Sequence, residues 1–391
     1  VKDLMVGVIG IGNMGSAHAN CIYAGEIEGL KLVAVCDINP KKTAFFKEEH
    51  PEVATFTDYN DLIENGGVEA VIIAVPHPLH ADIAIAALEA GLNVLVEKPV
   101  DIMVSKAKKL NAVAEKSGKV FAIMFNQRTN PLFKKARDIV RGGQLGELKR
   151  TVWIVTNWYR TQSYYDSGDW RATWVGEGGG VLLNQAPHNL DLWQWICGMP
   201  KSVVGFCDIA KYHNIEVEDD VTIVTKYENG AVGTFITTTG EFPGTNRLEI
   251  SGTLGKIVLE EGILKWWKLK ENEKEVRMNA KEGFAKIDYD YFEFKQEEKE
   301  TAHKGILQNF ANAILEGEEL ISPGYDGIYE LTISNAAYLS SFNGNKEVNL
   351  PFDTEEYDKL LKGLAKKSSG AKKTISEKMG TKYSSRWMVN W

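Results

Sequence analysis

Over the first 125 residues, short continuous apolar runs alternate with segments of helical spacing. Leu4-Met5-Val6-Gly7-Val8-Ile9 and Leu30 to Cys36 come first, followed by Ala70 to Val75, Asn93 to Val96 and Val120 to Met124. Runs this short, and apolar on both faces, read as strands buried between layers. The segments between them, such as Ile83 to Ala90, suit crossover helices. The pattern predicts an α/β unit over residues 1–125, a doubly wound parallel sheet of Rossmann type.

After residue 145 the pattern changes to strict alternation with tight turns, in Leu148 to Asn157, Val221 to Tyr227, Ala231 to Thr239 and Asn246 to Ser251. Asn229-Gly230 between two of these runs is a hairpin turn, because both residues tolerate positive φ. Residues 126–365 therefore read as an α+β domain with a large, mainly antiparallel sheet and a few helices, one starting near Pro187 and another over Gly305 to Leu315. The remainder, 366–391, is rich in Lys, Ser and Gly and reads as an extended tail. Trp387 and Trp391 within it are expected to dock on the parent subunit or on a neighbour.

Composition narrows the function. The chain has 391 residues and a formal net charge of −8, which argues against a nucleic-acid binder. No apolar run approaches the roughly 20 residues needed to cross a bilayer, and the first one leads into a glycine loop rather than a cleavage site, so a cytoplasmic protein with no membrane partner is expected. Cys21, Cys36, Cys197 and Cys207 show no zinc-ligand spacing and are expected to be reduced core residues, with no metal site. A small-molecule partner remains.

Gly10-Ile11-Gly12-Asn13-Met14-Gly15 follows a predicted strand and opens a predicted helix, the context in which GxGxxG binds a dinucleotide. Gly10 would make the turn, Gly12 would let backbone approach the pyrophosphate, and Gly15 would let helix and strand pack closely. Asp37 ends the second strand 22 residues after Gly15, where a carboxylate accepts from ribose hydroxyls and repels a 2′-phosphate. No arginine follows at Ile38 or Asn39, so NAD is favoured over NADP, with Lys41 and Lys42 keeping NADP as the second choice. A turn-capping role for Asp37 is the competing reading.

Further motifs fall at the carboxyl ends of the later strands, where ligands bind in such sheets: Val75-Pro76-His77-Pro78-Leu79-His80 and Glu97-Lys98-Pro99. With Arg128 to Gly146, Trp170-Arg171, Gly178-Gly179-Gly180 and Asn184-x-x-x-His188-x-x-Asp191, the chain resembles the glucose-fructose oxidoreductase and inositol dehydrogenase family (Gfo/Idh/MocA) through about 340 residues. The resemblance implies that Lys98 lies beside the nicotinamide and the substrate hydroxyl, and that Pro99 follows a cis bond. An ammonium there can stabilise developing alkoxide charge. His188 is the candidate base, since neutral imidazole takes a proton near pH 7. The competing readings are a surface lysine at a strand end and a core histidine beneath the sheet.

Many members of that family carry aspartate four residues before this histidine, where this chain has Asn184. An amide cannot relay a proton as a carboxylate can, so Asn184 is expected to hydrogen-bond a substrate hydroxyl. Asp191 would either orient His188 or serve as an ordinary cap. By resemblance Val75, Pro76, His80, Glu97, Asn126, Gln127, Trp170 and His303 approach the cofactor, while Arg128 and Arg171 approach the substrate. Tyr159 and Arg160, in the stretch Trp158 to Tyr165, combine aromatic faces with donors suited to a sugar ring; a subunit interface explains the same stretch equally well.

The function expected is NAD-dependent interconversion of a secondary alcohol and a ketone on a sugar, glycoside or cyclic polyol. The alternatives are an NAD-dependent glycosidase that oxidises its sugar transiently and eliminates the aglycone, or a non-catalytic NAD or sugar sensor. The resemblance further implies a homodimer or homotetramer formed through the C-terminal sheet.

Overall fold

The structure is a computed structural model that describes residues 3–296 and 300–368. Among these residues the strands form two sheets. The first contains β1 (Leu4–Ile9), β2 (Leu30–Cys36), β3 (Ala54–Phe56), β4 (Ala70–Ile73), β5 (Asn93–Val96) and β6 (Phe121–Ile123) in the order β3-β2-β1-β4-β5-β6, all parallel. This is the doubly wound order whose reversal lies between β1 and β4, and that reversal opens the crevice where such sheets bind ligands. Val6, Val8, Val71, Ile73, Val94 and Val96 are fully buried, which is why these runs show no polar alternation.

The second sheet contains β7 (Leu148–Val155), β8 (Ser202–Ile209), β9 (Glu218–Lys226), β10 (Val232–Thr238), β11 (Asn246–Gly252), β12 (Gly255–Glu260), β13 (Ile263–Leu269), β14 (Tyr289–Lys295) and the two-residue β15 (Val348–Asn349). Its order is β14-β13-β12-β11-β7-β10-β9-β8-β15, antiparallel throughout except for the β7–β10 pair. The expected hairpin joins β9 to β10, with Gly230 at φ 84° and Tyr227 N–H donating to the Ala231 carbonyl at 2.9 Å. Along β7, β9 and β10 the inward side chains Trp153, Ile223 and Phe235 are fully buried, while Val152, Ile154, Val224 and Ile236 on the other face are half-buried. One face packs on helices, and the other keeps an apolar patch at its centre.

The boundary expected between domains does not separate them in space. Helix Ala302–Leu315, inside the predicted 126–365 domain, returns to the first sheet, where Ile306, Leu307 and Phe310 pack with Leu4, Val6, Leu32 and Met124. Helix Gly327–Phe342 also straddles the two sheets, with Gly327 against Val100 and Ile123 and with Ala337 against Gly205 of β8. Apolar spacing along a helix shows that it has a buried face but not which sheet covers it. The tail expected over 366–391 lies outside the described residues from 369 onward, with both of its tryptophans.

Arg128 is the largest departure from expectation. Its side chain is only 1% exposed and does not reach toward a substrate. Nε and Nη2 donate to the two carboxylate oxygens of Asp191 at 2.8 and 2.6 Å, and Nη1 donates to Asp326 at 2.7 Å. The guanidinium ties helix Pro187–Cys197 to the turn that precedes helix Gly327–Phe342, and it accounts for Asp191, which therefore does not orient His188. Removing one partner from such a buried arrangement leaves uncompensated charge. Arg128→Met should lower unfolding stability by about 3–5 kcal/mol, read from the urea midpoint, and Arg128→Lys should recover only part of it because ammonium cannot reproduce the two-point contact.

Candidate active site

The glycine loop is built as the residue types require. Gly10 has φ 89°, and a Cβ there would lie 2.6 Å from the Ala74 carbonyl oxygen; a Cβ on Gly15 would lie 1.7 Å from the Gly10 carbonyl oxygen. Gly12 differs, for a Cβ on it would meet nothing within 4 Å. It sits in front of helix Asn13–Tyr23, whose first turn, with Asn13 and Met14, carries no acidic residue and receives no side-chain cap from Gly12. Uncapped N–H groups beside open space are what a bound pyrophosphate needs. Asp37 closes the loop from below. Its carboxylate accepts from Ile11 N–H at 3.1 Å, from Asn39 N–H at 2.9 Å and from Lys42 Nζ at 3.1 Å, so it caps the turn and ties it to the glycine loop.

Glu97, Lys98 and Pro99 follow β5, and the Lys98–Pro99 bond is cis. Glu97 Oε1 pairs with His18 Nε2 at 2.7 Å. Burial alone would work against its ionisation, but the His18 hydrogen bond and the charges of His18, His303 and Lys98 hold it down to about 2. His18 sits one helical turn after the glycine loop and was missed in the sequence, where an isolated histidine on an apolar helix face carries no signal. His80, expected at the cofactor, instead turns Nδ1 and Nε2 toward the Pro99 and Val75 carbonyls at 2.7 and 2.8 Å. It braces the two strand-end turns, and so sets the path of Val75, Pro76 and the Lys98 turn.

Lys98 Nζ donates to the backbone carbonyl of Asn184 at 2.8 Å. Burial lowers its pKa, against the opposing pull of Glu97, Glu330 and Glu177. His188, at the start of helix Pro187–Cys197, is buried beside the Phe125 ring, and its pKa lies well below the ordinary value because of burial first, then the charges of Lys98 and His303. The imidazole is therefore neutral near pH 7. Among the described residues His188 Nδ1, Asn126 Oδ1 and both amide atoms of Gln127 are buried without a hydrogen-bond partner. Buried polar atoms left unpaired call for partners, and those of Asn126 and Gln127 directly follow β6, at the carboxyl edge of the sheet where ligands bind. With Gly12 and Asp37, these groups fit a dinucleotide lying from the glycine loop to Lys98.

The remaining predicted residues divide. Asn184 directs its amide inward: Nδ2 donates to Glu177 Oε1, and Oδ1 accepts from Tyr164 at 3.2 Å and Gln185 at 3.0 Å. Arg171 donates to Tyr164 Oη at 2.9 Å and lies 4.6 Å from the Trp170 ring centre, while Trp170 meets the His77 ring edge-on. These residues join the network around Lys98. Arg160 caps the Trp158 and Tyr159 carbonyls, and Tyr159 is 45% exposed against Phe242. Arg160 reaches the network only through the Tyr164 ring, 5.1 Å from its guanidinium, and the aromatic stretch is split, with Trp158 and Tyr165 in the core. The triple glycine lets backbone pass the second sheet, since a Cβ on Gly180 would lie 1.9 Å from the Glu218 carbonyl oxygen.

The sequence and fold can now be set beside known proteins. Residues 4–125 match the family model "Oxidoreductase family, NAD-binding Rossmann fold", and residues 133–258 match the model of the GFO/IDH/MocA C-terminal domain. The chain belongs to the Gfo/Idh/MocA family. It is an oxidoreductase with an NAD-binding domain. The chain is 26% identical to the uncharacterized oxidoreductase YrbE of Bacillus subtilis, covering 92% of this chain and 99% of that one. It is 24% identical to the myo-inositol 2-dehydrogenase of Thermotoga maritima, covering 85% and 95%. Among solved structures, the WlbA dehydrogenase of Chromobacterium violaceum, in complex with NADH and UDP-GlcNAcA, superposes with a TM-score of 0.76 at 25% identity, covering 90% of this chain and 97% of that one. Levoglucosan dehydrogenase in complex with NADH shares the fold at a TM-score of 0.73.

Two measurements test the site. Gly12→Val should leave the melting temperature within about 2 °C of the parent, because its side chain enters open space, yet weaken NAD binding at least about tenfold by calorimetry. Gly15→Val should instead unfold the protein. The second concerns pH. Burial holds His77, His188 and His303 below the ordinary 6.5, His303 down to about 4. As pH falls below 6.5 the unfolded chain takes up protons that the folded protein refuses, so stability is complete above that pH and is lost progressively toward pH 4. Buried acids with raised pKa values, such as Asp101 and Glu218 at about 7, act in the opposite sense, so the histidine contribution is read by difference: the melting temperature of His303→Asn relative to the parent should rise as pH falls from 7.5 to 4.5.

Proposed function

We propose that this oxidoreductase interconverts a secondary alcohol and a ketone on a sugar, glycoside or cyclic polyol. The observation that carries the reading is the hydrogen bond from Lys98, at the end of β5, to the carbonyl of Asn184, four residues before His188, which brings the ammonium within electrostatic reach of that imidazole. The names of the relatives, an inositol dehydrogenase and sugar dehydrogenases among them, favour a polyhydroxylated substrate.

When bound, NAD supplies the hydride acceptor. The protein must handle the proton. The neutral His188 imidazole takes the hydroxyl proton in oxidation and returns it in reduction. Lys98 Nζ donates to the same oxygen and stabilises the negative charge that grows on it. Trp170 and Arg171 border the cleft on the second-domain side. We place the contact between copies, in a dimer or tetramer, on the outer face of the second sheet, where Val152, Ile154, Val224 and Ile236 form its apolar centre.

Reduced-nicotinamide absorbance, followed across sugars, glycosides and inositols with NAD and NADP, tests the reading. Lys98→Ala and His188→Ala should each cut kcat by about 10²–10⁴-fold while NAD affinity stays within a few-fold. Wild-type rates in the lysine variant would remove Lys98 from the reaction. Aglycone release from a glycoside without net NADH would place the chain among glycosidases instead.

A further inference from the structure

Asn184 brings no charge of its own to Lys98, but a carboxylate reaches it from elsewhere in the chain. Glu177 is 2% exposed and lies seven residues earlier, in the loop before the triple glycine. Its Oε1 accepts from Asn184 Nδ2 and its Oε2 from Ala172 N–H at 2.6 Å, while its own carbonyl faces His77 Nδ1 at 3.3 Å. Tyr164 Oη and Gln185 Nε2 occupy Asn184 Oδ1, so the amide has one orientation. The backbone carbonyl of this same Asn184 holds Lys98 Nζ at 2.8 Å.

An ammonium that has lost its water needs negative charge close by. Three carboxyl groups lie within electrostatic reach of Lys98: Glu97, Glu330 and Glu177. Glu97 is engaged by His18 through Oε1 and by the Lys98 backbone N–H through Oε2. Glu330, on helix Gly327–Phe342, is fully buried, and neither of its oxygens has a partner among the described residues; burial and then Asp191 hold its proton on. Burial raises Glu177 as well, but Arg171, the Ala172 N–H, the Asn184 amide and Lys98 all favour its ionised form. The other groups facing Lys98 are Arg171 and the histidines His77, His80, His188 and His303. None of these supplies negative charge.

Building on the oxidoreductase reading above, we propose that Glu177 is a positioning residue that supplies, from behind Asn184, a carboxylate that the Lys98 ammonium needs. Its carboxylate fixes the Asn184 backbone on which the ammonium rests, and its charge keeps Lys98 protonated in the pH range where that ammonium is needed. Asn184 transmits the contact but carries no charge itself.

The protonation midpoint of Lys98 can be followed by 13Cε-lysine NMR on the full chain, with Lys98→Arg for assignment, and needs no turnover. Glu177→Gln should lower the midpoint by about one pH unit, and adding Asn184→Asp to that variant should bring it back. An unmoved midpoint in a Glu177→Gln protein that melts like the parent overturns the proposal, as does a double variant that fails to restore it. Should Glu177→Gln not fold, Glu177→Asp draws the carboxylate back by one methylene; a smaller fall is expected, and no fall overturns the proposal equally. In turnover, the alkaline limb of kcat/KM should move down with the midpoint while the acid limb, set by His188, stays in place. A role in folding alone would lower the rate at every pH and move neither limb. If no carbohydrate is turned over, the functional reading fails, and the NMR midpoint still decides the role of Glu177.

Discussion

An ammonium can remain at the bottom of a buried cleft only if the protein replaces the water it has given up. Lys98 meets that demand with groups from both halves of the molecule: the Glu97 carboxylate beside it in sequence, the Asn184 carbonyl across the cleft, and Glu177 behind Asn184. Much of the surrounding structure serves these contacts. His80 bridges the turns after β4 and β5, His18 holds Glu97, and the glycines before Asn184 let its backbone run against Glu218 of β9. The same burial disfavours the charged form of both Lys98 and His188.

This arrangement depends on the two sheets staying in register with one another. The chain does not cross between them once, as a two-domain hinge would require. After β14 it returns to the first sheet in helix Ala302–Leu315, which delivers His303 to the site, and then runs along both sheets in helix Gly327–Phe342. Arg128 joins the second crossing to the helix that carries His188, through Asp326 on one side and Asp191 on the other. The cleft is thus framed by several covalent and ionic ties. Opening it demands small shifts of packed elements rather than rotation about one linker.

How much of this could be read from the residues follows from the range of the forces involved. Strand runs, the Asn229-Gly230 hairpin, the glycine loop and the strand-end position of Lys98 are local, because each is set by neighbours in sequence. The packing of helix Ala302–Leu315 on the first sheet is not local, and its apolar spacing would look the same against either sheet. Arg128 shows the same limit within the site. A conspicuous arginine invites a ligand, yet its partners, Asp191 and Asp326, lie 63 and 198 residues away. Glu177 left no signal of its own beside three glycines. Asn184 was legible only as a neutral group expected to meet a substrate hydroxyl, with nothing in the sequence to tie it to Glu177.

Separating charge from contact has a chemical consequence for the cleft. Here the acid sits one residue further back, sealed from solvent, and the group nearer the cleft is a neutral amide with both lone-pair positions of Oδ1 filled and one N–H directed at Glu177. That leaves a single N–H as the most Asn184 can offer a ligand, a donor and not an acceptor. A substrate hydroxyl placed there must accept, and its own proton is then free to point toward His188. On the proposed reading, the neutral amide at position 184 thus sets the sense of the hydrogen bonds around the reacting oxygen, with Lys98 and Asn184 donating and His188 left as the base.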